Sequence, residues 1–528
     1  MAGMTKSSSP YMHPSLRLIL ADEATTATLA SALARMAVAG DLIRLQGDLG
    51  AGKSTLARYF LNALGHKGDV PSPTYTLVQT YEDTRFPVAH VDCYRLENPE
   101  ELTGLGLDDY RRYGITLVEW PDKGGAMMSD GHPDFLDYHI NSIESAGTLT
   151  VTLAAGDNSG SRVANLDASP SWQRRFALLP ALGVDVDGIT LSRPVSETGR
   201  KAFLEGLGLK GYRLEKQGGD WSGRSYARVT LADGTTRMLM DAPPPQEDVV
   251  PYMRVAEYYR SIGLRAARVE GSDTVEGYLL TEDFGDVQLF SLLQDGSPET
   301  AWYKAASDGL ALQCQSEPPA WARRYSPRDW WVEVMRFVNW YMPYACGHAT
   351  SLADYARWQA LWTPLYDTVM RMPTGVMMWD CQSPNLMVLG EEPKLENLGW
   401  IDIQDARVAP LAQDAALLLR NIRTGQDDAR EAEVVDYLCE KLGLNKRDFM
   451  TALDITSLHH SCRILGGLVR LHVRDGKSAP AQAYLQRTWK VAHQSFQNPV
   501  LAEIADFMRP WEVPGLSKLA EDIRGAAA

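Results

Sequence analysis

A chain of 528 residues exceeds what one core ordinarily organises, since cores stop growing near about 250–300 residues, so two or more domains are expected. Its 45% hydrophobic and 23% charged residues, with a mean hydropathy of −0.25, exclude a disordered or membrane-embedded class. The net charge of −15 falls as 12 basic and 20 acidic residues over 1–160, and 40 and 47 over the rest, so neither part has the basic balance of an autonomous nucleic-acid binder.

No apolar run approaches the roughly 18 residues that cross a bilayer, and the first residues lack an apolar stretch with a cleavage site, so a cytoplasmic protein is expected. The six cysteines have no Cys-x-x-Cys pair or metal-finger spacing, which points to reduced thiols.

In chain order, Ala24–Ala39 has helical periodicity, Asp41–Leu45 is a short strand, and a glycine-rich turn leads into a helix over Ser54–Leu64. Short apolar strands follow at Val88–Val91, Ile115–Val118 and Leu149–Leu153, and this alternation predicts a mostly parallel sheet. From Ala155 to about Ser171 the composition turns to Gly, Asn, Ser, Asp and Pro, the signature of a loop or linker. Trp172–Leu182 reads either as a last helix of the first domain or as part of the connection. Ser196 caps a predicted helix through Leu207, and strands follow at Tyr212–Lys216, Tyr226–Leu231 and Arg237–Met240. After Leu280 the chain reads as helical and Trp-rich, interrupted only by a hairpin near Leu386–Ile403. The expected organisation is an α/β P-loop NTPase domain over 1–160, a linker or domain extension over 161–195, and a bilobal α+β protein-kinase-like domain over 196–528.

Gly47-Asp48-Leu49-Gly50-Ala51-Gly52-Lys53-Ser54-Thr55 satisfies G-x-x-x-x-G-K-[ST] between a strand and a helix. Gly47, Gly50 and Gly52 let backbone N–H groups turn inward around phosphate oxygens, Lys53 neutralises the β/γ charge, and Ser54 is a candidate Mg²⁺ ligand. A P-loop needs carboxylates at the ends of neighbouring strands, and Asp92 and Glu119 stand there; each also reads as an ordinary strand-terminal acid. This loop, Ser72-Pro73-Thr74-Tyr75-Thr76-Leu77-Val78, His90-Val91-Asp92-Cys93-Tyr94-Arg95-Leu96, Glu101-Leu102 with Leu105-Gly106-Leu107, and Val118-Glu119-Trp120-Pro121 occur in the order seen in TsaE, and residues 15–155 resemble that ATPase of tRNA threonylcarbamoyladenosine synthesis. The resemblance implies ATP and Mg²⁺ as cofactors. It implies that Thr55 and Thr74 face the nucleotide, Thr74 in a switch-like segment, that Asp92 is a catalytic carboxylate, that Glu119 helps hold Mg²⁺, and that Trp120 lines the nucleotide site. It also implies TsaB/TsaD-like partner subunits, one of which carries the tRNA chemistry, so no direct nucleic-acid contact is expected. Tyr75, Tyr81 and Tyr94 read as core or partner-interface packing in preference to base stacking.

In the C-terminal half, Asp380-Cys381-Gln382-Ser383-Pro384-Asn385 sets an Asp and an Asn five positions apart, ahead of a hairpin that ends in Trp400-Ile401-Asp402-Ile403. Kinase phosphoryl transfer needs this set, a carboxylate that takes the hydroxyl proton and an Asn with a second Asp for Mg²⁺, which assigns Asp380 as base and Asn385 and Asp402 as metal ligands. Ile401–Ala406 followed by Pro410 and Gln413-Asp414-Ala415-Ala416 resembles the Mg²⁺ segment and following helix of the aminoglycoside phosphotransferase superfamily, with Asp414 structural. Within it the pattern of Asp220, Ser222, Arg224, Tyr226 and Arg228, then Met240–Pro244, the hinge-like Leu280–Asp286 and the late helical Arg474–Lys477 is similar to the AmgK-type kinases of N-acetylmuramate and N-acetylglucosamine in cell-wall recycling. Two departures stand out. Met378 replaces a common His, and Met238-Leu239-Met240-Asp241 has no kinase lysine, so Arg224 or Arg228 is expected to supply the cation.

Other readings stay open at this stage: a different small-molecule kinase acting on choline, homoserine or an aminoglycoside, or a non-catalytic ATP-binding regulatory scaffold. The aromatic segment Trp330–Tyr344 with Trp358 and Trp362 reads as helix core ahead of a sugar-stacking surface. His459, His460 and His472 read as packing or surface groups.

Overall fold

The computed structural model describes residues 13–513 apart from 75, 103–104, 129–145, 158–159, 218–222, 293–298, 425–426 and 474–477. Tyr75, Asp220, Ser222 and the Arg474–Lys477 motif therefore lie outside the described residues. The chain divides into two compact units, one built mainly from residues up to Pro194 and the other mainly from Val195 onward.

In the first unit the order is β1 (Ser15–Leu20), α1 (Glu23–Met36), β2 (Leu42–Gln46), α2 (Lys53–Ala63), β3 (Val78–Tyr81), β4 (Val88–Asp92), α3 (Leu107–Tyr113), β5 (Ile115–Glu119), β6 (Thr148–Ala155), β7 (Arg162–Ala168) and α4 (Pro170–Phe176). Asp22 starts α1 by accepting from the Thr25 amide while Thr25 answers with its side chain, a reciprocal cap that satisfies two end groups. The strands form one sheet in the order β1-β7-β6-β2-β5-β4-β3. Its centre, β6-β2-β5-β4, is parallel, and β1, β7 and β3 pair antiparallel, so the expected mostly parallel sheet is mixed, with antiparallel margins. Every residue of β4 and β5 is buried, which is why both strands read as continuous apolar runs ending in an acid.

The loop or linker expected over 155–171 is instead largely strand. β7 lies between β1 and β6, and Trp172, Phe176 and Leu179 join the core formed by Leu18, Leu33 and Val151. Its polar composition misled because Asn165 and Asp167 alternate with the buried Ala164 and Leu166, on a strand near the sheet margin with one face toward water.

One buried ion pair ties α4 to this sheet. Arg175 Nη1 lies 2.6 Å from Asp41 Oδ2, and Asp41 also accepts from the amides of Val38 and Gly147 at 2.8 Å each. Burial pushes the Asp41 carboxyl up, and the Arg175 charge and these donors pull it back.

The second unit opens with α5 (Glu197–Gly206), where Ser196 accepts from the Gly199 amide. A five-stranded antiparallel sheet follows in the order β12-β13-β10-β9-β8, from β8 (Arg213–Lys216), β9 (Ser225–Thr230), β10 (Thr236–Asp241), β12 (Val269–Asp273) and β13 (Tyr278–Glu282); α6 (Val250–Ser261) and β11 (Arg265–Ala266) stand between β10 and β12. The remainder is mainly helical, but the expected single hairpin is two sheets. β15 (Leu386–Val388) and β16 (Leu398–Trp400) form the hairpin, joined by β11, while β14 (Thr374–Met377) pairs with β17 (Arg407–Pro410). β14 and β17 are 30 positions apart and four residues each, too short and too distant to announce their pairing.

Trp330, Trp358 and Trp362 are fully or almost fully buried, and Trp330 meets Trp362 edge-on at 5.6 Å, so the aromatic segment is core. His459, His460 and His472 are buried as well, His459 stacked on Trp330 with centroids 4.1 Å apart.

The Asp41–Arg175 pair has a measurable consequence. Asp41→Ala removes the carboxylate that faces the buried Arg175 guanidinium and should destabilise the first unit by about 3–5 kcal/mol. Chemical denaturation of the full chain, with hydrogen exchange read at the β2 and β6 amides, checks this.

Candidate functional sites in the two units

In the first unit the glycine-rich loop runs from the end of β2 to the start of α2. Gly52 precedes α2 with φ 102°, and no side chain caps the helix, so its first amides are left for an anion. Gly47 has φ 131°, and a Cβ there would lie 2.2 Å from the carbonyl oxygen of Leu153 in β6; Gly50 also has positive φ but open space around it. Lys53 folds back over the loop, with Nζ 2.7 Å from the Gly47 carbonyl, 2.9 Å from that of Asp48, and 3.8 Å from the centre of the Trp120 ring. Burial lowers its pKa, while Glu119, Asp92 and Asp48 work the other way.

The sheet brings the two strand-terminal acids together, because β4 and β5 are parallel neighbours with Asp92 opposite Glu119. Both are 2% exposed, which removes the reading as ordinary surface acids. Glu119 accepts from Ser54 Oγ at 3.1 Å through one oxygen, and its other oxygen lies 3.0 Å from His90 Nε2. Asp92 accepts from Thr74 Oγ1 at 2.6 Å and from the Tyr94 amide at 2.9 Å. Trp120 holds φ 56°, a strained value for a large side chain, immediately after Glu119. Thr55 sits in the first turn of α2, half-buried. Tyr81 is buried and Tyr94 packs on Trp120 at 5.1 Å. Two residues that the motif reading passed over complete this site. His90 is fully buried in the quoted His-Val-Asp stretch, and Arg162 of β7 donates to the Ala51 carbonyl at 3.0 Å.

In the second unit a cleft of about 860 Å³ contains Arg224, Arg228, Asp380, Asn385 and Asp402 in its walls, together with the hinge residues Glu282–Asp286. Asn385 Nδ2 donates to both the carbonyl and the Oδ2 of Asp380 at 3.0 Å, which leaves its amide oxygen free to turn elsewhere. Gln382 donates to the other Asp380 oxygen and accepts from Asn421 at 3.3 Å. Burial, then the charge of Asp402, raises the Asp380 carboxyl to about 6, against the pull of Arg463, Gln382 and Arg423. Asp414 is fully buried and accepts from the amides of Met378 and Trp379 at 2.6 and 3.0 Å, so it fixes the loop carrying Asp380. Trp379 and Asp402 both have positive φ, 74° and 59°. Asp402 is past the end of β16, not on it.

The two candidate cations separate clearly. Arg228 is committed to the hinge, with Nε 2.6 Å from Asp283 and Nη2 2.7 Å from Asp286. Arg224 bridges Glu247 at 2.7 Å and Asp402 at 3.0 Å. Asp241, where the strand lacks a lysine, pairs instead with Arg200 at 2.8 Å. Glu247 had no signal in the sequence.

A family model described as threonylcarbamoyl adenosine biosynthesis protein TsaE matches residues 20–148, and one described as phosphotransferase enzyme family matches residues 213–452. A TsaE of Rickettsia felis is 31% identical over 160 residues, 30% of this chain and 91% of that protein. This chain joins a TsaE-family domain to a phosphotransferase-family kinase domain. A TsaE of Haemophilus influenzae is 47% identical over 90 residues, 17% of this chain and 57% of that protein. The N-acetylmuramate/N-acetylglucosamine kinase of Caulobacter vibrioides is 29% identical over 346 residues, 58% of this chain and 94% of that protein. Both domains are of ATP-using enzyme families. Among the described residues no helix is long and apolar enough to cross a membrane, and no cluster of three or more His, Cys, Asp or Glu could hold a metal by itself. All six cysteines are free thiols, and burial pushes Cys93 up to about 12.

The glycines of the TsaE-family domain yield a graded test. Gly47→Ala, which meets backbone, should abolish binding of a fluorescent ATP analogue to that domain, while Gly50→Ala, which meets only φ strain of about 1–2 kcal/mol, should weaken it by about tenfold. Titration in a background where the kinase site carries Asp402→Ala reads the first site alone.

Proposed function

We propose that the first domain hydrolyses ATP in support of threonylcarbamoylation of tRNA adenosine 37 while docked on TsaB/TsaD-like subunits, and that the second phosphorylates the anomeric hydroxyl of N-acetylmuramate or N-acetylglucosamine in cell-wall recycling, both in the cytoplasm. In the first domain, Gly47, Gly50, Gly52, Lys53 and Thr55 hold the phosphates, Thr74 senses the γ-phosphate, and Trp120 packs on the nucleotide. Ser54 and Glu119 would hold Mg²⁺, a hard-oxygen pair that suits this ion. Asp92 orients the attacking water. The net negative charge fits a protein that reaches tRNA through partners, since direct contact with phosphate backbone favours Lys and Arg.

In the kinase domain Asp380 accepts the proton as the sugar oxygen bonds to the γ-phosphorus and ADP departs. Asn385 and Asp402 would hold Mg²⁺, which when bound shields charge on the phosphates. Arg224, steadied by Glu247, takes the place of the kinase lysine, and Arg228 shapes the hinge through Asp283 and Asp286. The observation that carries this reading is the meeting of Asp380, Asn385, Asp402 and Arg224 in one cleft. The match across 94% of an amino-sugar kinase supports the substrate class.

Product analysis with ATP and each sugar tests it directly; absence of sugar 1-phosphate with both would reject the sugar assignment. Asp380→Ala should remove phosphoryl transfer and spare the first domain's ATPase, whereas Lys53→Ala should do the reverse and stop support of tRNA modification. Arg224→Met should lower kcat/KM for ATP about 100-fold, as for loss of a buried charge-assisted contact, and Arg228→Met by less than about fivefold. Equal losses at the two arginines would contradict the assignment.

A further inference from the structure

The residue before the proposed base has a costly conformation. Trp379 has φ 74°, a left-handed value that disfavours a large side chain, and such strain persists only where the surroundings over-determine it. The backbone is fixed by Asp414, which accepts from the Trp379 amide at 3.0 Å. The side chain is 5% exposed, so the ring too is held on all sides. Met378 before it is fully buried, and its thioether donates no hydrogen bond, so it gives the base no polar support.

Two buried side chains grip the Trp379 ring. The Tyr325 ring lies tilted against it with centroids 4.7 Å apart, and the Arg407 guanidinium carbon stands 3.9 Å from its centre, well inside the cation–π range of about 6 Å. Arg463 stands over the same ring at 5.9 Å, at the edge of that range. Burial makes the Arg407 contact stronger than an exposed one, because water does not compete for the cation.

Arg407 is also placed to pass position on. It starts β17 directly opposite Met377 of β14, the strand that leads to Asp380. Its Nε donates to the Asp405 carbonyl at 3.1 Å, and its Nη1 lies 3.9 Å from the buried carboxylate of Asp329. Asp405 belongs to the turn that follows Asp402, where the Ala406 amide donates to the Ile403 carbonyl at 3.1 Å. One guanidinium therefore touches both the loop that carries the base and the turn that carries Asp402. Neither Trp379 nor Arg407 lines the cleft, so any effect they have on the reaction passes through the residues that do.

We propose that Trp379 and Arg407 are positioning residues for phosphoryl transfer, the guanidinium clamping the ring so that Asp380 and Asp402 keep one relative placement. The proposal rests on the reading of Asp380 as the base and adds what aims it.

The test uses the full chain carrying Gly47→Ala, which silences the other nucleotide site, and measures sugar 1-phosphate formation alongside binding of a fluorescent ATP analogue. Arg407→Met should lower kcat about 30-fold, since small misplacements of a reacting group are costly, while KM for the sugar and Kd for the analogue stay within about threefold. Arg407→Lys returns a cation to the ring without the planar fork and should recover kcat to within about fivefold of the parent. Trp379→Phe keeps a ring and should stay within about fivefold as well. Trp379→Gly relieves the strained φ but leaves nothing to clamp, so it should match Arg407→Met. Should it fail to fold, the two Arg407 variants and Trp379→Phe still decide.

An unchanged kcat in Arg407→Met, a Trp379→Gly variant as active as the parent, no recovery in Arg407→Lys, or analogue binding lost in step with kcat would overturn the clamp. Asp380→Ala separates the two failures: parental transfer in that variant removes the base reading itself, whereas loss there with an unchanged Arg407→Met removes only the clamp. If neither amino sugar accepts, the same ratios are read on transfer from ATP to water at this site. Transfer to no acceptor at all overturns the kinase reading and the clamp together.

Discussion

Both sites depend on one constraint: an ionised side chain withdrawn from water must be met by a partner of matching chemistry. Glu119 is 2% exposed and meets Ser54 on one oxygen and His90 on the other, while Asp92 meets Thr74 and a backbone amide. In the kinase domain Asp402 faces Arg224, whereas Asp380 accepts from the amide groups of Gln382 and Asn385, and burial raises its carboxyl. The arrangement gives each carboxylate a distinct set of partners.

The backbone conforms to the same demand. Five described non-glycine residues have positive φ, and three of them, Trp120, Trp379 and Asp402, adjoin or form the carboxylate positions. Each follows the end of a strand or loop where the chain must turn a side chain into a cleft, and the packing of β5, the Asp414 hydrogen bonds to Met378 and Trp379, and the Arg224 ion pair hold the strain in place.

Much of this was legible in the sequence, for identifiable reasons. The glycine-rich loop, Asp92, Glu119, Asp380, Asn385 and Asp402 lie in short contiguous motifs, and the buried strands β4 and β5 read as apolar runs. What escaped notice depends on partners far along the chain. Glu247 matters only because the start of β9 brings Arg224 to it. β7 was concealed because a strand near the sheet margin with polar alternate residues has the composition of a loop. The choice between Arg224 and Arg228 likewise needed the acids opposite them.

The place of β7 governs where this chain can be divided. The strand lies between β1 and β6, its Arg162 grips the glycine-rich loop at Ala51, and the helix after it is tied in by Arg175 to Asp41. A cut at residue 160 would strip β1 of its neighbour and open a raw edge on β6, whereas one beyond Pro194 keeps the sheet whole. Separating the two enzymes, by protease or by gene design, is thus a matter of sparing some thirty residues whose composition resembles a dispensable tether.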